Sequence, residues 1–456
     1  MSRWLLPALA IGLVLGYAIW RDVRFERSYT GDLRNRITGA RMIKDGRSPY
    51  FYKWKAGDGL RYYDPQNFDD FRPAHMTSTP VLYRLLSPLV EMPQATVSRW
   101  WLVLEYVMLA SLGLWAFLRA KTPSQKEFVL LAFCLILLTN GWKQHVANGQ
   151  TYICIPFFAM LFLAFWENGD HPVGSIAAGI AALCLIGIRL NTALFFVPFL
   201  FLLPQYSRSR ILYFCVPLVL YLGWTMANPH ERSLWRDYSN NLQEAARLSQ
   251  NLPVDTVHNT PDPRYRVWEG IDTVQYSWQN RHLPAPIYSE NANVFVLVNR
   301  IFHFDLSIRM LALLAMGSIA VIVALYFFRC RLPVLRRMSP RLRVPPASLD
   351  VSNAAILGVC LFMIADLCSP IYRHQYYTVQ WIFPLLLAAS AYDGRRKGLY
   401  ALLLAALVLN CIHLPFVKMG NSIGEYGMLL TFLAMVLGFG VQKTQKPQPA
   451  SLPESG

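Results

Sequence analysis

Asp32 stands at the head of the segment SYTGDLRNRITGARMIKDGRSPY, just beyond the first long apolar run of the chain. A carboxylate held beside a hydrocarbon face is costly unless it is paired, caps a helix or does chemistry. Leu33, Ile37 and Ala40 recur at helical spacing across 32–45, while Asp32, Asn35, Arg36 and Gly39 share another face. The spacing predicts a short interfacial helix, its apolar side toward lipid or bundle and its polar side toward a cavity. Asp32 and Arg36 are then neighbours at i, i+4. That arrangement suits an ordinary ion pair or a helix cap, and equally the start of a membrane enzyme's site.

Other polar residues interrupt apolar sequence further on. Arg189 lies between two apolar runs; an isolated Arg at mid-membrane costs at least about 2.5–3.5 kcal/mol, so it should pair, line a polar cavity or snorkel to the interface. Arg373 and His374 open another apolar run, where a boundary position in an aromatic belt is the alternative to a binding role. Lys143, His145, Asn148 and Gln150 crowd a short turn, either as a headgroup pocket or simply as a polar turn. Arg72 and His75 sit where the first loop approaches the membrane and also read as solvated loop residues. Glu105 and Asp366 fall inside apolar runs and are expected to pair with buried cations as structural elements. Neither the Asp69-Asp70 pair nor any Cys/His spacing reads as a metal site, and no metal or cofactor is expected. No P-loop or Gly-rich strand-to-helix turn appears, so a nucleotide-sugar pocket is not expected.

The elements that must position these residues are membrane helices. Of 456 residues 54% are hydrophobic and only 15% charged, and the apolar residues come in blocks near the roughly 20 needed to cross a bilayer core. The fold class is therefore all-α and polytopic. Candidate spans are 4–20, 99–118, 127–140, 150–166, 173–188, 192–204, 211–228, 306–328, 350–368, 377–392, 399–416 and 422–440, about twelve in all. One domain over 1–440 and a polar, Pro-containing cytoplasmic tail over 441–456, expected to be disordered, complete the organisation. The first run lacks a small-residue cleavage site and should stay as a helix.

Short loops rich in Lys and Arg mark the cytoplasmic side. Arg119, Lys121 and Lys126, then Arg208 and Arg210, the Arg329–Arg343 cluster, Arg395, Arg396 and Lys397, and Lys443 and Lys446 all fall on one side if the N-terminus is inside. The long loops 21–98 and 229–305 then face outward. The second carries Trp235, Tyr238, Tyr265, Trp268, Tyr276, Trp278 and Tyr288 among amides and arginines, which suits either a glycan or an interfacial aromatic belt. The net charge of +16 is spread over loop after loop, so anionic lipid and topology account for it and nucleic acid is not a partner. Six of the eight Cys fall in predicted spans, and no pair in the outward loops invites a disulfide.

Four segments in order resemble glycosyltransferase family 87, the polyprenyl-phosphate-sugar-dependent, mannosyltransferase-like enzymes of the GT-C class. They are the run from Asp32 to DGRSPYFY, HMTSTPVLYRLLSPLVEMP, NGQTYICIPFFAMLFLAF and CSPIYRHQYYTVQWIFPLLL, and together they cover most of residues 20–390. Ser78-Thr79-Pro80 stands where the family often has two prolines after a tyrosine, and Arg189 replaces a frequent lysine while keeping its charge.

The resemblance implies a GT-C bundle with outward juxtamembrane helices, embedded in a bacterial inner or plasma membrane with its site on the extracytoplasmic face. It implies transfer of a hexose, expected to be mannose, from a polyprenyl-phosphate donor to a lipid-linked or exported glycan, with inversion. Asp32 would be the general base, a role contributing typically about 10²–10⁴-fold. Arg189, Arg373 and His374 would meet the phosphate, with Arg36, His145, Gln150 and His75 as further substrate contacts. The alternatives are a flippase or transporter of a lipid-linked saccharide, for which related halves would be expected, a glycan ligase, and a membrane scaffold without catalytic activity.

Overall fold

The structure, a computed structural model, describes residues 5–26, 31–50, much of 52–63, 77–167, 171–249, 292–328, 350–371, 373–392, 396–411 and 420–438. Every regular element among them is helical. In chain order these are α1 (Leu5–Glu26), α2 (Gly31–Lys44), α3 (Pro80–Leu86), α4 (Gln94–Arg119), α5 (Pro123–Leu138), α6 (Asn140–Asn148), α7 (Cys154–Glu167), α8 (Pro172–Ile188), α9 (Val197–Leu200), α10 (Arg208–Ala227), α11 (Pro229–Ser249), α12 (Val294–Phe302), α13 (Ile308–Phe328), α14 (Val351–Leu367), α15 (Ile382–Ser390), α16 (Lys397–Cys411) and α17 (Gly420–Leu437).

The starts are written in the sequence. Thr79 caps α3 by accepting the Leu82 N–H, with Pro80 at the first helical position. Thr122 and Gln125 form a capping box at α5, again with a following proline. Ser207 caps α10.

Among the described residues α4, α10 and α13 are long and apolar enough to cross a membrane, and α5 with α6 makes a fourth if the pair, bent by 55°, is one span. The helices α7, α8, α14 and α16 are apolar but shorter. Apolar runs thus outnumber full-length spans, and the reason is physical. Two of the runs are interrupted by 3₁₀ segments, Leu190–Phe196 and Gln375–Trp381, and the polar turn expected at 140–150 is instead a helix, α6, capped by Thr139 and ended by left-handed Gly149. The long α10 and α13 leave Leu212, Val219, Leu220, Leu313, Met316 and Val321 on the outside, as helices facing hydrocarbon would.

The expected helix at 32–45 forms as α2, and its apolar face is buried in the bundle: Leu33 and Ile37 are fully enclosed. It lies so close to α3 that a Cβ on Gly39 would fall 2.5 Å from the Tyr83 ring. Helix direction then sorts the polar groups to two ends. Arg119, ending α4, bonds Glu167 at the end of α7 and Ser352 at the start of α14. Arg210 at the start of α10 lies 4.6 Å from the Trp166 ring centre near the same end. The opposite ends of α4, α7, α8 and α14 converge around Gln150, Arg189 and Asp366.

Candidate functional site

Asp32 and Arg36 point from the first turns of α2, and among the described residues no ion pair joins them directly. Gln150, fully buried at the turn after α6, lies between them: its Nε2 donates to the Asp32 carboxylate and its Oε1 accepts from Arg36 Nη2 at 2.6 Å. The other two guanidinium nitrogens of Arg36, Nε and Nη1, are buried without a hydrogen-bond partner. A buried charge with idle donors is costly unless a ligand takes them up.

Arg36 borders a cavity of about 380 Å³. Ser78 and Thr77 before α3, Tyr152, Arg189, Asn191, Tyr238 and Tyr377 supply its polar and aromatic wall, and Leu242, Leu311, Ala312 and Ala315 an apolar one. Arg189 reaches the cavity because α8 stops there: its backbone is extended (φ −153°, ψ 114°), and the Thr192 hydroxyl donates to the carbonyls of Leu185 and Arg189 at the helix end. Irregular backbone at membrane depth is tolerated where protein buries it or it lines a cavity. The guanidinium ion-pairs with Asp366 and sits 4.7 and 5.4 Å from the ring centres of Tyr377 and Tyr152, which leaves a cation held in place beside open volume.

The second break places His374, also extended, ahead of the 3₁₀ segment Gln375–Trp381. Its ring stacks on Tyr376 at 5.1 Å. Though open on its own surface, the imidazole is crowded by neighbouring groups; burial lowers its pKa and the charge of nearby Asp32 pulls the other way. Among the described residues, then, a carboxylate, an imidazole and two guanidiniums from three separated segments gather about one cavity and its rim. That set can accept a proton from a hydroxyl and receive an anionic leaving group.

Residues 77–261 match the family model of glycosyltransferase family 87. It is the family that the ordered motifs resemble, and the match supports a glycosyltransferase. The matched stretch holds the Ser78-Thr79-Pro80, Gln150 and Arg189 segments; Asp32 and the 368–387 motif lie outside it. No curated protein and no solved structure matches the chain.

Of the residues that the family 87 resemblance singles out, Asp32, Arg36, Gln150, Arg189 and His374 come together at the site. Two take other places. Arg373 is 2% exposed and forks onto Asp366 and, at 2.9 and 3.0 Å, onto Glu425 of α17. It lies behind Arg189, with Asp366 shared between them. His145 is fully buried below Gln150, its Nδ1 3.2 Å from Glu105 Oε1. Asp366 therefore meets the buried cations expected of it, while Glu105 meets a histidine. His75 and Arg72, the Asp69-Asp70 pair, the tail, and Tyr265, Trp268, Tyr276, Trp278 and Tyr288 lie outside the described residues. Tyr238, one of the aromatic residues that suit a glycan, lines the cavity, as does Asn191, whose signal in the sequence is its nearness to Arg189.

Proposed function

We propose that the protein transfers a hexose, with mannose as the expected sugar, from a polyprenyl-phosphate donor to a hydroxyl of a lipid-linked or exported glycan. In this reading the acceptor oxygen attacks the anomeric carbon as the bond to the donor phosphate breaks, inverting the centre. The acceptor proton passes to the Asp32 carboxylate. The departing phosphate keeps the bonding electrons, and its charge meets Arg36 and Arg189 in a site partly withdrawn from water, where such groups act most strongly. Membrane lipid and the two glycan-bearing substrates are the partners, and no cofactor takes part.

The observation that carries the reading is the Asp32–Gln150–Arg36 bridge at the rim of the Arg189 cavity. It places a proton acceptor one helical turn from a guanidinium with two unused buried donors. The apolar wall of Leu242, Leu311, Ala312 and Ala315 beside these cations suits a ligand that is anionic at one end and hydrocarbon at the other. The gathering of Arg119 and Arg210 at the far end of the bundle supports an extracytoplasmic site in this reading.

The test is incubation of the purified protein with a panel of short-chain polyprenyl-phosphate sugars and a glycan acceptor, with detection of released lipid phosphate. Release that depends on sugar and acceptor supports the reading. Consumption of a nucleotide sugar in place of every lipid-phosphate donor would overturn it.

A further inference from the structure

Gln150 does not hold Asp32 and Arg36 by chance of rotamer; its turn is clamped from beneath. The backbone N–H of Gln150 donates to the His145 carbonyl at 2.9 Å, its carbonyl accepts from Trp101 Nε1 at 3.2 Å, and the Ile153 N–H donates to His145 Nε2 at 3.1 Å. Since Nε2 is an acceptor, the neutral ring carries its proton on Nδ1, which faces Glu105 Oε1 at 3.2 Å. The ring also stacks on Trp142 at 5.8 Å, and Trp142 Nε1 donates to the buried Asp22 at 3.0 Å. Between Gln150 and α6, Gly149 adopts φ +60°, and a Cβ there would fall 2.6 Å from Leu33 Cβ on α2. The turn is thus pressed onto the helix that carries Asp32 and Arg36.

We infer that His145 is a positioning residue, fixing the 149–153 turn so that the Gln150 amide presents one donor to Asp32 and one acceptor to Arg36. The inference rests on the transferase reading for its consequence but not for its geometry. His145 Nε2 secures the Ile153 amide, which fixes the ring's tautomer, and that amide closes the turn. An orienting partner behind a functional side chain is worth building because misplacement by about 1 Å can cost on the order of 10²-fold in rate. His145 does not need to touch substrate, which agrees with its exposure of 0%.

The test compares two substitutions in the full-length protein. His145→Gln can return an acceptor near the Nε2 position, whereas His145→Asn reaches only as far as Nδ1 and leaves the Ile153 N–H unmet. Amide exchange is read on peptides covering 31–40 and 149–157, and transfer with whichever polyprenyl-phosphate sugar of the panel the wild type uses. His145→Asn should raise exchange in both peptides and lower transfer about tenfold or more, and His145→Gln should restore most of both. In a Gln150→Ala background, His145→Asn should cost nothing further in transfer. Unchanged exchange in His145→Asn, or losses that multiply in the double variant, would overturn the inference. Absence of transfer by the wild type from every polyprenyl-phosphate sugar of the panel would instead sink the transferase reading, and the exchange comparison alone then decides the positioning.

Discussion

Asp32 and Arg36 lie one turn apart on α2, yet the group that joins them is the amide of Gln150, 118 and 114 residues away in the chain. A direct ion pair would neutralise both and leave neither reactive. An amide between them satisfies one oxygen of the acid and one nitrogen of the base, and keeps the rest of both groups available. The geometry therefore sets the carboxylate and the guanidinium side by side without cancelling either.

Replacing Asp32 with Asn keeps shape and most hydrogen bonding but removes the basic oxygen. Transfer should fall by roughly 10²–10⁴ while donor binding and melting temperature stay near wild type. A carboxylate serving only to anchor Gln150 would behave differently, with a lower melting temperature and a modest loss of rate. Turnover and melting temperature measured on the same preparation separate the two.

Arg189 and Arg373 share Asp366 but should respond differently to truncation. Arg189→Ala leaves Asp366 paired with Arg373, so the bundle should hold while donor use weakens about 10–100-fold, the scale of a lost charged hydrogen bond. Arg373→Ala leaves Asp366 with Arg189 alone and strands Glu425, 1% exposed, and should cost about 3–5 kcal/mol of stability. Equal melting temperatures for the two variants would contradict the division of labour.

The pattern of α2 was legible because its apolar and polar faces repeat at helical spacing within one short segment. Asp366 was legible as a structural acid because a carboxylate inside an apolar run needs a cation. What could not be read locally was contact between segments: that Gln150 bridges Asp32 and Arg36, that Arg373 is occupied by Glu425, and that His145 lies under the site and not in it. Each depends on how separate helices dock, and the residue types alone suit either place. Apolar runs outnumber full-length helices among the described residues for a related reason, since hydropathy registers an apolar residue equally in an α-helix and in the 3₁₀ breaks at 190–196 and 375–381.

On the loop after α2, Arg61 bonds Asp45 at 2.6 and 2.9 Å and Glu91 at 3.2 and 3.3 Å. Hydrogen bonds from Arg61 hold both acids down to about 2. Folded values below the unfolded ones of about 3.9 and 4.3 mean that the unfolded chain binds more protons, so this contribution is present above about pH 5 and fades as pH falls toward about 2. Trp54, whose ring lies 5.0 Å from Tyr63 and whose Nε1 donates to Gly59 at 2.8 Å, reports on the same loop. Its fluorescence should change between about pH 4 and pH 2, and at higher pH in strong salt, because exposed pairs are screened. A midpoint near pH 6 would assign the transition to another group.

The last prediction concerns which side of the membrane the site faces. Leu60, 79% exposed, belongs to the loop bonded to α2 at the site end. Lys121, just past Arg119, belongs to the end where Arg119, Arg210 and Arg396 gather. Positive charge retained on the cytoplasmic side would put Leu60 outside and Lys121 inside. With the native cysteines replaced, Leu60→Cys in intact cells should react with a membrane-impermeant thiol reagent, and Lys121→Cys only after permeabilisation. The reverse pattern would place Asp32, Arg36 and Arg189 on the cytoplasmic side and remove the outer-leaflet donor geometry from the mechanism. Labelling of both positions in intact cells would instead mean that the two ends of the bundle are not separated by a bilayer.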